Sequence, residues 1–302
     1  MHCVDFKELF EKHVVNYFID TYRKGSTPNP CLVCNHKIKF GALYDAAVKL
    51  GADTIATGHY IRTERDDEEN PVLLKGLDSL KEQSYFLSML SHRQLKNTLF
   101  PLGEYTKQEV IEIASENHLV PLEKKESQDI CFIHDSTFAE FIVSKTGMKF
   151  TPGDIVTTDN KVVGRHRGLH CYTIGQRRGL NCPGPEPYYV KSIDMINNRL
   201  IVGFRKELYS DTLNVRNVNW LSPCTEFSWD KPMKVMTKIR YSHTDAPSTL
   251  FPSSESTAET LNKTTCPNHI KIIFDSPQFA VTPGQGAVFY KEDKVIGAGI
   301  IQ

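Results

Sequence analysis

The sequence predicts an α/β unit followed by a β-rich half that closes as a small barrel, and three observations carry this. Between residues 5 and 50 apolar side chains recur every three or four positions, and the run Thr54-Ile-Ala-Thr that follows reads as a buried parallel strand. After Gly147 the pattern changes to short runs punctuated by glycine and proline. From Leu200 onward those runs recur at a spacing that suits a β-barrel. With 302 residues and 40% hydrophobic content, the chain fills two or three cores rather than one.

Taken in order, Phe6, Leu9, Phe10, Val14, Phe18 and Ile19 mark the buried face of an amphipathic helix that Gly25 ends. A second helix starts after Pro30, continues through Ile38, Leu43 and Ala47 to Leu50, and stops at Gly51. The strand at 54–57 delivers Gly58 and His59 at its carboxyl end, where open α/β sheets bind ligands. A simple turn at Gly58 fits equally well. Residues 62–77 are charged and then irregular, with Asp66-Asp-Glu-Glu as a solvated loop, and helical periodicity resumes over 81–90. Thr106-Lys-Gln-Glu is a capping box that opens a helix through Asn117, ended by residues 119–121. Another helix spans 135–145. The later strand-like runs are 201–203, 233–241, 270–274 and 287–301, the last divided by a hairpin turn at Lys291-Glu-Asp-Lys. Residues 251–267 are rich in Ser and Thr without periodicity, a flexible insertion in which Cys266 is incidental.

Lys plus Arg equals Asp plus Glu at 36 each, so net charge points to no nucleic-acid partner, and any such surface is local. The dense basic stretch is 161–179, where Arg165, His166, Arg167, His170, Arg177 and Arg178 stand among glycines. It reads as a phosphate-contacting surface, with a solvated face as the alternative. Eight cysteines spread unevenly do not make a secreted disulfide framework, and no apolar stretch spans a membrane. The expected compartment is reducing.

The chemistry concentrates in residues 27–35, Thr-Pro-Asn-Pro-Cys-Leu-Val-Cys-Asn. Two prolines stiffen the entry, after which Cys31 and Cys34 fall on the first turn of a helix, where the dipole lowers a thiol pKa and favours a reactive thiolate. Half of a zinc site or a dithiol redox pair are the other readings; zinc lacks a second Cys-x-x-Cys. Far along the chain, Cys131 follows a polar loop and precedes an apolar run, and by itself reads as a buried spectator.

Residues 27–40, Ala56-Thr-Gly-His-Tyr, Lys81-Glu-Gln-Ser-Tyr-Phe-Leu, residues 127–133, Gly175-Gln-Arg-Arg-Gly, Ile239-Arg-Tyr and Thr282-Pro-Gly-Gln occur together and in order. With them, nearly the whole chain resembles the tRNA-specific 2-thiouridylases, which place sulfur on the wobble uridine. The resemblance implies an adenine-nucleotide α-hydrolase-like (PP-loop) parallel-sheet domain over 1–134, a small central tRNA-binding domain over 135–206, and a C-terminal β-barrel over 207–302. It implies ATP with Mg²⁺, tRNA and a persulfide donor from a cysteine desulfurase relay as partners. A monomer is expected, in the mitochondrial matrix of a eukaryote or otherwise in the cytoplasm. Residue by residue, it makes Cys131 the persulfide carrier and Cys34 the nucleophile, with a transient disulfide between them. It places Gly58 on ATP, Asn29, Pro30 and Cys31 around the target base, and His59, Lys81, Glu82, Gln83, Arg240, Tyr241 and Gln285 on tRNA. Family members often carry an aspartate where this chain has Cys31, which puts an acid/base role there in doubt.

Members of the family also begin with a strand and a Ser-Gly-Gly-x-Asp-Ser loop that wraps the ATP phosphates, and no Ser-Gly-Gly occurs here. The expectation is therefore a remnant of the PP-loop domain, from a shortened gene model or isoform. Two alternatives stand beside the thiouridylase reading. One is a tRNA-binding remnant that modifies nothing, and the other is an iron–sulfur tRNA thiolase with the cluster on Cys31, Cys34 and Cys131.

Overall fold

The computed structural model describes residues 1–119, 130–134, 136–227, 231–253 and 266–302. Residues 254–265 of the expected insertion over 251–267, the polar residues 124–129 before Cys131, and Asp135 lie outside the described residues.

The first helix covers residues 7–23, with a π-helical segment Glu11–Val15 between Lys7–Phe10 and Asn16–Arg23. Its buried face, Val15, Phe18, Ile19 and Tyr22, packs against Ile142 of the helix Phe138–Thr146 and against Ile130, Phe132 and Ile133. That second partner helix is capped by Thr137 and Glu140 and ends at Gly147 in the left-handed region. The cysteine helix covers residues 30–49 as Pro30–Cys34, a π segment Asn35–Ala42, and Leu43–Lys49. A π turn misaligns backbone carbonyls, and Gln94 Nε2 takes up two of them, donating to His36 O at 2.7 Å and Phe40 O at 3.1 Å.

Strand β1 (Ile55–Ala56) pairs in parallel with a later strand, but it is short and partly exposed rather than buried as expected. Residues 61–75 correct the sequence reading more strongly. They form a hairpin of β2 (Ile61–Arg65) and β3 (Pro71–Lys75) around an exposed turn, where an irregular stretch was expected. Helical structure in 81–90 contracts to Ser84–Leu87, and β4 (Thr98–Leu99) is the parallel partner of β1. The capping box at Thr106 and Glu109 opens Lys107–Glu116 as expected.

The central part is a four-stranded sheet of β5 (Gly153–Thr157), β6 (Val162–His166), β7 (Tyr189–Asp194) and β8 (Arg199–Gly203) in the order β6-β5-β8-β7. Its core gathers Ile155, Leu169, Tyr172, Val190, Leu200 and Val202. The C-terminal part comprises β9 (Tyr209–Trp220), β10 (Met233–Lys238), β11 (Ala246–Pro252), β12 (His269–Phe279), β13 (Gly286–Lys291) and β14 (Lys294–Ile301). The order β13-β10-β11-β12-β9-β14, with β14 pairing back to β13, closes a six-stranded barrel that leaves none of its own edges open. The expected hairpin between Lys291 and Lys294 joins the last two strands.

The hairpin β2–β3 docks on this barrel. Leu74 pairs with Lys294, Lys75 N donates to Asp293 O at 2.9 Å, and Arg62 Nη2 meets Asp293 Oδ2 at 2.8 Å. Beneath it one hydrophobic core mixes Phe40, Ile61, Leu73, Tyr85, Leu87, Leu90 and Leu95 with Leu221, Val288, Tyr290 and Val295. The segment that carries the cysteine helix and the barrel therefore share an interior. Cys266, read as incidental, is disulfide-bonded to Cys224, which ties the start of β12 to the segment after β9.

Candidate functional site

Asn29, in extended conformation, precedes the cysteine helix, and Pro30 takes its first position, where a missing N–H costs nothing. Asn29 and Pro30 are buried, Cys31 is solvent-accessible, and Cys34 is half-buried. The Asn29 side chain bonds the Tyr85 hydroxyl, and its backbone bonds the phenol of Tyr17. Two other elements thus fix the approach to the cysteines.

Cys131 sits on the segment 130–134 and is exposed, not the buried spectator its apolar neighbours suggest. Those neighbours are what hold it. The Phe132 ring lies 5.5 Å from each of Phe10, Phe18 and Phe141, and Ile133 N donates to Ile130 O at 3.0 Å. The apolar side chains anchor inward and leave the thiol facing out.

The charge of a Cys131 thiolate raises the pKa of both Cys31 and Cys34, so all three sulfurs share one neighbourhood although 97 positions (131 − 34) separate the last two in sequence. Burial is the larger cause at both residues and pushes Cys34 up to about 11, with the Lys39 ammonium partly opposing it. Cys31, though accessible, is also raised, first by the protein crowding its other sides. This corrects the expected thiolate: the helix dipole fades within one turn, and desolvation wins. Lys39 also bears on His59, whose imidazole burial lowers to about 4, so His59 is neutral at physiological pH. His59 Nδ1 lies 3.0 Å from Thr57 Oγ1 and its ring 5.6 Å from Phe40. The end of β1, with Gly58, therefore stands on the cysteine side. Sequence reasoning missed Lys39; its place five positions after Cys34 was the available signal.

The remaining predicted contacts separate. Glu82 is buried, accepts from Ser84 N, and faces Lys238 Nζ at 3.8 Å, while Gln83 exchanges bonds with Tyr60 at 3.0 and 3.1 Å. Both are engaged inside the chain. Lys81 N donates to Asp78 O at 3.1 Å, and its side chain is half-buried. Tyr241 is exposed, 4.4 Å from the Phe86 ring, with Lys238 Nζ 5.4 Å from its centroid. Arg240 donates to Ala280 O and Thr282 Oγ1. Gln285 Nε2 donates to Thr27 O at 3.1 Å and Pro28 O at 3.0 Å. The basic stretch divides: Arg165, Arg167, Arg177 and Arg178 are exposed, but His166 and His170 are buried, the former donating to Asn198 O at 3.0 Å and the latter stacked on Phe150.

Three family models tile the chain: "tRNA methyl transferase HUP domain" over residues 1–135, "tRNA methyl transferase PRC-barrel domain" over 139–204, and "Aminomethyltransferase beta-barrel domain" over 210–301. The tRNA-specific 2-thiouridylase MnmA of Desulfosudis oleivorans is 46% identical over 301 residues, 99% of this chain and 78% of that protein. The chain belongs to the MnmA family of tRNA-specific 2-thiouridylases. The MnmA of Acetivibrio thermocellus is 40% identical over 302 residues (100% of this chain, 80% of that protein), and that of Geotalea uraniireducens 42% over 301 (100% and 76%). The iron–sulfur alternative finds no support, since no group of three His, Cys, Asp or Glu side chains among the described residues is placed to hold a metal ion.

Proposed function

We propose that this chain, a tRNA 2-thiouridylase and so a sulfurtransferase, passes sulfur from a Cys131 persulfide to C2 of the wobble uridine, with Cys34 completing the transfer. What supports this is the placement of Cys131, exposed on a segment anchored to the first helix, where a charge on its sulfur acts on both thiols of the cysteine helix. The terminal persulfide sulfur attacks C2, forming a carbon–sulfur bond while the bond from C2 to the adenylated oxygen breaks and AMP leaves with that electron pair. Cys34 then attacks Cys131 Sγ, the sulfur–sulfur bond to the substrate breaks, and the thiocarbonyl leaves with that electron pair. The product on the protein is a Cys34–Cys131 disulfide, which a dithiol must reduce before the next cycle. A Cys34 thiol held at about 11 needs to lose its proton to act, and the nearby Lys39 ammonium favours that loss.

ATP with Mg²⁺ supplies the leaving group, by adenylation of the C2 oxygen. Toward a nucleotide, the chain offers Gly58, where an added Cβ would meet only Leu102 Cδ1, at 3.5 Å, so nothing in the fold itself requires glycine there. Its residues contain no Ser-Gly-Gly loop for the polyphosphate. Asn29, Pro30 and Cys31 line the approach for a uridine turned out of its stack. Tyr241, His59, Lys81 and the four exposed arginines are the groups proposed to meet tRNA. A persulfide-delivering desulfurase relay as donor, a monomeric state, and a mitochondrial matrix or cytoplasmic location complete the proposal. Among the described residues no helix is long and apolar enough to cross a membrane.

The test uses unmodified tRNA, ATP, Mg²⁺ and a persulfide donor, with 2-thiouridine measured in digested nucleosides. Cys34→Ser and Cys131→Ser should each abolish the product and leave tRNA affinity within about threefold, since neither thiol contributes phosphate attraction. Product from either variant would overturn the assignment.

A further inference from the structure

We infer that Gln285, on the turn between β12 and β13, is a positioning residue that holds the sulfur-transfer loop, so that the C-terminal barrel forms one wall of the reaction centre. The inference rests on the sulfur route proposed above, and it gives Gln285 work within the protein. The loop needs outside support. Residues 26–29 form no helix or strand; Ser26 N donates back to Thr21 O at 3.1 Å, but Pro28 and Pro30 have no N–H to donate, so the segment beyond Ser26 has little hold of its own.

The barrel supplies what is missing. Thr27 N donates to Pro283 O at 2.8 Å, and the two hydrogens of Gln285 Nε2 go to the carbonyls of Thr27 and Pro28. Tyr85, which bonds the Asn29 side chain, also donates its hydroxyl hydrogen to Gly286 O at 3.1 Å. The two backbones approach as closely as glycine permits: Gly284 has φ +92°, and a Cβ there would lie 2.7 Å from Thr27 O. The turn itself is tied to the closed barrel, because Gly284 N donates to Ile301 O and Ile301 N to Gln285 O, both at 2.9 Å. Arg240 braces its near side through Ala280 and Thr282.

This matters for the sulfur route because the two thiols ride on different supports. Cys131 is carried by the aromatic cluster of the first helix, and Cys34 by a helix whose incoming loop, at Thr27 and Pro28, is bonded to Gln285. A neutral amide is the group this position requires. A carboxylate would set a third oxygen against two carbonyl oxygens, and methionine would keep the shape without either donor.

The experiment follows formation of the Cys34–Cys131 disulfide in the full chain. Glutathione disulfide takes the two electrons and leaves as two glutathione thiols, and the equilibrium constant reports how close the protein holds its pair. Gln285→Met and Gln285→Glu should each weaken that equilibrium about tenfold, the scale of two neutral hydrogen bonds. Both should lower single-turnover thiolation while tRNA affinity stays within about twofold. A wild-type equilibrium in Gln285→Met would overturn the inference. Should the variants not fold, hydrogen exchange of the wild-type Thr27 amide decides: exchange as slow as the β13–β14 ladder supports the clamp, and exchange at the rate of an open loop overturns it. Failure of the sulfur route itself looks different, with active Cys34→Ser or Cys131→Ser protein, whatever Gln285 does.

Discussion

The raised pKa of Cys34 sets how fast this sulfur reacts before any substrate arrives. With the thiol at about 11, the thiolate fraction at pH 8 is about one in a thousand, against about one in four for an unperturbed cysteine near 8.5. That deficit is about 250-fold. A more basic thiolate is intrinsically the better nucleophile, with a Brønsted slope of about 0.4–0.5, and 2.5 units return about tenfold. Alkylation of Cys34 by iodoacetamide at pH 8 should therefore run about 25-fold slower than that of a model thiol, and the rate should climb tenfold per pH unit up to about pH 10. Lys39→Met removes an ammonium that favours the thiolate and should move the profile to still higher pH. The assay is site-resolved mass spectrometry of alkylated peptides across pH 7–11. A Cys34 midpoint near or below 8 would refute the argument that burial outweighs the helix dipole here. The sign extends to stability: the folded chain holds this proton more tightly than the unfolded one, so the Cys34 contribution is intact below about pH 8.5 and fades as pH rises toward 11.

Phe132→Ala should loosen the segment that carries Cys131. Three ring contacts at 5.5 Å, each worth about 0.5–1 kcal/mol beyond area, amount to about 2 kcal/mol, or about thirtyfold in the Cys34–Cys131 disulfide equilibrium with glutathione; an unchanged equilibrium would show that another support holds Cys131. Replacing Arg165, Arg167, Arg177 and Arg178 together by Ala should weaken tRNA binding and flatten its salt dependence by up to about 3 units of log–log slope, as followed by filter binding from 50 to 300 mM salt. An unaltered slope would make them a solvated face. Leu73→Ala, at a fully buried position in the core shared with Val288 and Tyr290, should cost about 3 kcal/mol and lower the melting of the cysteine segment and barrel as one transition; two separated transitions would contradict the shared interior.

Much of this fold was legible because local chemistry and tertiary structure agree. Gly25 and Gly51, both at positive φ, stop the helices where the periodicity ends, and the box at Thr106 caps its helix. The barrel hairpin at 291–294 was visible from its flanking strands. The β2–β3 hairpin was not, because Pro71-Val-Leu-Leu is buried on both faces and shows no alternation to read. Cys224 and Cys266 pair across 42 positions, a distance at which spacing carries no signal. In the site, the motif located the thiols and the order of their partners. The direction of the Cys34 shift depends on how much protein surrounds the sulfur, which a one-dimensional reading of the helix start does not contain. Glu82, Gln83 and Gln285 were placed on tRNA by the resemblance, and nothing in the sequence showed the Lys238, Tyr60 and cysteine-loop partners that the chain brings to them.

The route of the sulfur is tested most directly by one turnover without reductant. Protein carrying a labelled persulfide on Cys131 is mixed with tRNA, ATP and Mg²⁺ and quenched with acid, and its peptides and nucleosides are weighed. One Cys34–Cys131 disulfide should form per labelled 2-thiouridine. Labelled 2-thiouridine appearing while Cys34 stays a free thiol would contradict the proposed path.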